Sequence, residues 1–194
     1  MIDGHYHIKF LDKSKEMLNP EELIDVRKQT RDLKCIRGNF LDYIIEMELI
    51  INILIENFML HKKSNLRNVF RNNILNNRGV SLGQRIELLC EIIKEKKGIK
   101  ELELKQLKKH LTSLRDERNR WAHGVIYFKQ EKNGRDIKFQ SYLNYLDSQG
   151  KEKEIILTNS YFEGIDLKLK AAQKFLVKVL VKRKFLSKDF LFKK

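Results

Sequence analysis

The sequence predicts a mainly α-helical protein with a small β-hairpin inserted before its last helix. The chain of 194 residues contains one proline and nine glycines, a composition that favours long helices over a turn-rich β-sandwich. Apolar residues recur at three- and four-residue steps through most of the chain, which is the spacing of a helix face. The dipeptide Asn133-Gly134 lies between two apolar runs and is a strong signal for a hairpin turn.

Two helical stretches are predicted in the first third of the chain. The Asn-Pro-Glu-Glu sequence at residues 19–22 indicates a helix start, because Asn caps, Pro fits the first turn and acids favour the positive end. Gly38 is a candidate interruption of this helix. Residues 40–60 then show apolar side chains over most of a helical surface, with Glu48 and Asn52 inside the apolar band.

Two further helices are predicted in the middle of the chain. Residues 62–78 are basic and rich in asparagine, and we expect them to be helical only in part. Ser81 is the candidate cap of a helix over residues 82–97. The inner face of this helix consists of Leu82, Ile86, Leu89 and Ile93. Another helix with a leucine-rich stripe is predicted from about residue 100 to His123.

The pattern then changes to that of strands. Residues 125–128 and 137–140 flank the Asn-Gly dipeptide and predict two hairpin strands, to which residues 155–157 could add a third. The last helix is predicted to begin after Gly164 and to cover residues 165 to about 184.

We expect a single domain over residues 1–194, since this length fits one domain and no Ser- or Gly-rich linker divides the chain. Its bundle core would comprise about residues 20–124 and 164–186, with a β-rich insertion at about 125–160. The apolar tail at residues 190–192 is a candidate to dock on the bundle.

The charge balance indicates a polyanionic partner. Forty Lys and Arg against 26 Asp and Glu give a formal net charge of +14, and nucleic acid is the commonest ligand for such a field. The alternative is a lysine-rich surface that is merely solvated. A membrane surface is a weaker alternative, because no basic amphipathic segment stands out from the rest.

Cysteine usage and hydropathy predict a cytoplasmic protein. The two cysteines do not make a disulfide framework, and Cys90 lies in an apolar run typical of a core. The first residues lack the apolar region of a signal peptide. The most apolar stretch, residues 44–60, carries three glutamates, which excludes it as a membrane span.

The residues with chemical potential are Arg118-Asn119-Arg120-Trp121-Ala122-His123. Arg118 lies on the apolar stripe of its predicted helix, so its guanidinium must be paired or must face a polar cleft. Asn119 and His123 are four apart and share a helix face, where Asn119 can hydrogen-bond to the imidazole and orient it.

Arg118 and His123 are about 140° apart around an ideal helix. They can reach one pocket if the helix frays at Gly124, or if a second copy of the chain supplies the other half. The alternative reading is that an Arg, an Asn and a His near a helix C-terminus only complement the helix dipole.

The segment from Arg118 to Gly124 resembles the Arg-Asn-x-x-Ala-His-Gly motif of the HEPN ribonuclease family, whose core is Arg, four to six residues, then His. Residues 81–89 also look like a helix that often precedes this motif, and the resemblance covers roughly residues 40–184. Some family toxins carry a tyrosine two positions after the histidine, which a partner nucleotidyltransferase modifies. Here that position is Val125, so this form of regulation is not implied.

The resemblance implies a HEPN-like helical bundle and a metal-independent endoribonuclease that needs no cofactor. Members usually act as homodimers with a composite active site, often as toxins or antiviral effectors with an antitoxin or defence partner. Catalysis would use His123 for proton transfer and Arg118 to stabilise charge on the phosphoryl oxygens. The RNA 2′-OH would attack phosphorus and leave a 2′,3′-cyclic phosphate.

Four residues are candidates for supporting roles around this pair. Glu48 and Asn52 would pair with Arg118 or orient His123; alternatively, Glu48 only neutralises a buried arginine. Arg115 and Arg120 would bind RNA phosphates; alternatively, they are solvated charges.

Three other functions remain open at this point. The chain could be a HEPN-like domain that binds RNA or a nucleotide without cleavage, or a dimerisation module within a larger assembly. DNA binding by a helix-turn-helix is compatible with the charge alone. His5 and His7 are a weak metal candidate, and no Walker A, nucleotide-binding or Cys-x-x-Cys motif is present, so no metal or cofactor is predicted.

Overall fold

A computed structural model of the protein describes residues 20–60, 66–75, 79–96, 100–133 and 136–182. The candidate metal ligands His5 and His7 and the apolar tail at residues 190–192 lie outside these ranges. Helices predominate, and they accompany one small antiparallel sheet, which confirms the predicted mainly α class with a β-hairpin element. The α-helices are α1 Pro20–Met59, α2 Leu66–Phe70, α3 Leu82–Glu95, α4 Glu101–His123 and α5 Asn159–Lys182. One π-helical turn, Arg71–Leu75, follows α2.

Helix α1 runs without a break through Gly38, so the candidate interruption there is wrong. Gly38 is exposed, and an added Cβ at that position would meet no atom within 4 Å. A helical glycine costs only about 1 kcal/mol. The buried side chains on either side of Gly38, Leu33 and Phe40, stabilise the helix by more than that cost.

Helix α3 begins as the sequence predicts. The Ser81 side chain accepts a hydrogen bond from the Gln84 backbone N–H at 3.2 Å, and the Gln84 side chain accepts from the Ser81 N–H at 2.7 Å. This reciprocal pair is a capping box, and it satisfies two backbone donors at the helix start. The predicted inner face is buried along its length and consists of Leu82, Ile86, Leu89 and Ile93.

Three strands follow α4 in the order β1-β2-β3, with both pairs antiparallel. Strand β1 covers Val125–Asn133, β2 covers Asp136–Leu146 and β3 covers Glu152–Ile156. The antiparallel β1–β2 register runs from Val125 opposite Asn144 to Asn133 opposite Asp136, which confirms the predicted pair of strands. The strands are longer than the apolar runs that indicated them.

Helix α5 starts earlier than predicted, at Asn159 instead of after Gly164. The Thr158 hydroxyl accepts a hydrogen bond from the Tyr161 backbone N–H at 3.2 Å, so Thr158 caps the first turn. Gly164 lies inside the helix, and an added Cβ there would meet no atom within 4 Å. The sequence predicted the helix start after Gly164, but the Thr158 cap places it six residues earlier, at Asn159.

The described residues divide into two compact units. One unit comprises residues 20–41 and 118–164, and it therefore holds the sheet, the first half of α1 and the end of α4. Its core includes Val26, Phe40, Trp121 and Leu143. The other unit comprises residues 42–117 and 165–182 within the described ranges, and its core is rich in Leu and Ile. The predicted single domain with an insertion at about 125–160 stays a prediction.

The second unit buries a charged group where α1 ends. Glu56 is fully buried, and its carboxylate accepts hydrogen bonds from Arg71 Nε at 2.8 Å and Nη2 at 2.9 Å. Arg67 adds an ion pair at 2.6 Å. A buried carboxylate is tolerated when it is paired in this way. Within the described part of the chain, no helix combines the length and apolarity that crossing a membrane requires.

Candidate functional site

The end of helix α4 is anchored by a buried tryptophan. Trp121 is 1% exposed, and its Nε1 donates a hydrogen bond to the Tyr161 hydroxyl at 3.0 Å. The rings of Phe40 and Phe162 lie 6.4 and 6.0 Å from the Trp121 ring, measured between centroids. Because Trp121 points into the core, residues two positions before and after it face the opposite side of the helix. Those residues, Asn119 and His123, are exposed.

Arg118 and Asn119 contact each other on the surface of this turn. The Arg118 Nη1 donates a hydrogen bond to the Asn119 Oδ1 at 3.2 Å. The sequence predicts that Asn119 orients the imidazole of His123; in the structure the amide oxygen of Asn119 holds Arg118 instead. Asn119 and His123 share a helix face, so this bond holds the guanidinium at the residue one turn before His123.

Helix α4 does not fray at its C-terminus. It remains helical through His123, and the Gly124 N–H donates to the Arg120 carbonyl oxygen at 2.6 Å. In this structure, Arg118 and His123 therefore lie on an intact helix end, without the fraying at Gly124 that was one of the two ways of bringing them together. Within the described part of the chain, the imidazole of His123 receives and donates no hydrogen bond, and its position depends on the backbone beneath it.

The end of α4 packs closely against strand β2 at Gly124, where there is no room for a side chain. A Cβ built at this position would lie 2.5 Å from the Arg120 carbonyl oxygen, 2.7 Å from Leu143 Cδ1 and 2.9 Å from the Asn144 carbonyl oxygen. Two of these three atoms are backbone and cannot rotate away. The glycine that follows the histidine is therefore required by close packing of the chain.

Replacing Gly124 with alanine is expected to destabilise the protein by about 2–3 kcal/mol, because the methyl group overpacks a contact that backbone atoms close. The matched control is Gly38→Ala, in an exposed helical position with open space around it. That change should stabilise the protein by about 0.5–1 kcal/mol. Urea unfolding followed by circular dichroism measures both. Equal unfolding midpoints for the two variants would contradict the close-packing account.

Arg37 reaches the motif from α1, and sequence reasoning missed it. Its Nη2 donates a hydrogen bond to the carbonyl oxygen of Ala122 at 2.9 Å, although the two residues are 85 positions apart. Arg37 is half-buried. Nothing in the local sequence distinguishes it from the neighbouring basic residues of α1, because its partner is a backbone carbonyl.

Glu48 and Asn52 have a different arginine from the one that we expected. The Arg85 Nη2 donates to Glu48 Oε2 at 2.9 Å, and its Nη1 donates to Asn52 Oδ1 at 3.2 Å. Glu48 thus pairs with an arginine, as one of the alternatives expected, but this arginine is Arg85 of α3. A sequence signal existed, since Arg85 lies three residues after Leu82 and four before Leu89 on the inner face. A supporting role of Glu48 and Asn52 for Arg118 or His123 stays a prediction.

The two candidate phosphate-binding arginines both contact neighbouring side chains. Arg115 donates from Nε and Nη2 to Asp116 Oδ1 at 3.0 and 2.7 Å, which lowers the net charge that it can offer to a phosphate. The guanidinium of Arg120 lies over the ring of Tyr145, 5.1 Å from its centroid. Their role in RNA binding stays a prediction.

The buried cysteine Cys90 is poorly suited to act as a nucleophile. Burial raises the pKa of the Cys90 thiol to about 11, so the thiolate that a nucleophile requires is scarce near neutral pH. The described residues contain no group of three or more His, Cys, Asp or Glu side chains placed to hold a metal ion.

Arg118, Asn119 and His123 thus lie in the C-terminal part of α4 in the first unit, where Arg37 donates a hydrogen bond to the Ala122 carbonyl oxygen. Arg120 lies in the same part of the helix. Comparison of the chain with protein-family models, with curated proteins and with solved structures gives no match. The resemblance of residues 118–124 to the HEPN motif therefore rests on these residues and their spacing.

Proposed function

We propose that the protein is a metal-independent endoribonuclease that uses Arg118 and His123. The observation that carries this proposal is the bond between Arg118 Nη1 and Asn119 Oδ1 on the face that also exposes His123. A guanidinium and an exposed imidazole at the same helix end provide a fixed positive charge and a proton carrier, and a phosphodiester with an adjacent hydroxyl needs both. The match to the HEPN motif supports the same assignment.

The proposed reaction is an internal transesterification. A histidine takes the proton of the 2′-OH while that oxygen forms a bond to phosphorus. The bond from phosphorus to the 5′-oxygen breaks, and the leaving oxygen receives a proton. Arg118 stabilises negative charge on the non-bridging oxygens. The products are a 2′,3′-cyclic phosphate and a 5′-OH end.

Two histidines complete this reaction better than one, since one acts as base and the other as acid. The chain carries one such motif, and α4 stays helical through His123. We therefore propose a homodimer whose composite site joins two motifs. The net charge of +14 favours RNA as the substrate and predicts cleavage that weakens as salt rises. A toxin or antiviral role, with an antitoxin or defence partner, is part of the proposal through the resemblance alone.

The test is RNA cleavage by purified protein in excess EDTA. A single-stranded oligonucleotide should be cut to give 2′,3′-cyclic phosphate and 5′-OH ends. An oligonucleotide with 2′-deoxyribose at the cleaved position is the matched control, and it should remain intact because the attacking hydroxyl is absent. Ends of another type, or equal cleavage of the deoxy control, would overturn the mechanism.

A second candidate is a HEPN-like module that binds RNA or a nucleotide, or that dimerises, without cleavage. The observation that favours it is the missing orientation of the imidazole, because Asn119 holds Arg118 and no described residue hydrogen-bonds to His123. This candidate predicts RNA binding that His123→Ala leaves unchanged, with no cleavage by either protein.

A further inference from the structure

We infer that Arg37 is a positioning residue for His123, a role that rests on the proposed ribonuclease function. Arg37 lies in α1, and its Nη2 is 2.9 Å from the carbonyl oxygen of Ala122, the residue immediately before His123. The bond is a long-range contact between the first half of α1 and the last turn of α4, in addition to that of Phe40 with Trp121. Both residues belong to the same compact unit.

The last turn of a helix leaves carbonyl groups without intrahelical donors. In α4 the Arg120 carbonyl accepts from the Gly124 N–H, and the Ala122 carbonyl accepts from Arg37. A guanidinium at this end also complements the partial negative charge of the helix C-terminus. Arg37 therefore supplies a hydrogen-bond donor to a backbone carbonyl that the helix by itself leaves without one.

This matters for His123 because its side chain has no hydrogen bond of its own among the described residues. Among the described residues, the imidazole is therefore positioned through its backbone. Trp121 anchors that backbone on the core side, and Gly124 packs against β2 on the other side of His123 in the chain. Arg37 holds the peptide group between Ala122 and His123 itself, so its contact is directly adjacent to His123 in the chain. A displacement of about 1 Å at a catalytic group can cost about 100-fold in rate.

The experiment compares Arg37→Ala with Arg31→Ala in the full-length protein. Arg31 lies on the same helix, is exposed, and loses the same charge on substitution. Two measurements are made: kcat and KM on a single-stranded RNA oligonucleotide, and hydrogen exchange of the Gly124 amide. Arg37→Ala should lower kcat by about 10- to 100-fold while KM changes less than about twofold. Its Gly124 amide should exchange about 10-fold faster.

The control Arg31→Ala should match the wild type in all three quantities. Arg37→Lys should recover part of the lost kcat, because an ammonium group can still donate one hydrogen bond to the Ala122 carbonyl. A merely structural loss would not separate kcat from KM in this way, and it would lower the unfolding midpoint of the whole protein.

Other outcomes overturn the inference. If Arg37→Ala cleaves RNA with the wild-type kcat, the positioning role is wrong and the proposed function stands. If KM rises and kcat stays the same, Arg37 binds substrate instead. If the wild type cleaves no RNA while its Gly124 amide remains protected, the proposed function fails and this role fails with it, in a protein that is correctly folded.

Discussion

His123→Ala should lower the rate of RNA cleavage by about 10³-fold or more, because it removes the group that carries the proton in both halves of the reaction. His123 is exposed and no described residue hydrogen-bonds to it, so the stability of the protein should change by less than about 0.5 kcal/mol. The measurement is single-turnover cleavage in EDTA, with thermal unfolding measured on the same preparations.

The matched control for this variant is His110→Ala. His110 lies on the same helix and is half-buried, and no chemical role is proposed for it. It should cleave RNA at the wild-type rate. If His123→Ala and His110→Ala retain equal activity, the imidazole is not part of the reaction and the motif match is accidental.

Arg118 allows a graded version of the same test. Arg118→Ala should lower cleavage by about 10²- to 10³-fold, which is the usual effect of removing one donor to a developing oxyanion. Arg118→Lys keeps the charge and loses the planar fork, so its rate should fall between those of the wild type and the alanine variant. Equal losses for lysine and alanine would show that geometry matters more than charge.

Trp121→Ala should destabilise the protein by about 3–5 kcal/mol. The side chain is 1% exposed, contacts three aromatic rings, and donates a hydrogen bond to the Tyr161 hydroxyl at 3.0 Å. Its loss leaves a cavity and removes the hydrogen bond that the Tyr161 hydroxyl accepts. Domains of this kind are typically stable by about 5–15 kcal/mol, so a large part of the folding free energy is lost.

Circular dichroism at 222 nm is the appropriate signal for this measurement, because Trp121 is the one tryptophan of the chain and its fluorescence disappears with it. Tyr161→Phe isolates the hydrogen bond and should cost about 1 kcal/mol. Leu102→Ala, at a position of the same helix that is 68% exposed, should have little effect. A Trp121→Ala protein as stable as Leu102→Ala would show that Trp121 does not anchor the motif.

Sequence reasoning predicted the elements that depend on local interactions. The cap and inner face of α3, the end of α4 at His123 and the β1–β2 hairpin were all predictable, because each rests on residues close together in the chain. The two errors, at Gly38 and Gly164, have a common cause. Glycine permits a helix break without requiring one. The buried neighbours of Gly38 keep α1 continuous, and the Thr158 cap starts α5 before Gly164.

The partners of the polar residues were decided by the tertiary structure. The sequence by itself offered an arginine as one candidate partner of Glu48 and placed Arg118, Asn119 and His123 at one helix end. Only the fold selected Arg85 for Glu48, across 37 positions, and placed Arg37 on the Ala122 carbonyl, across 85. A long side chain can satisfy its hydrogen bonds with many groups, and which group lies within about 3 Å depends on how distant segments pack.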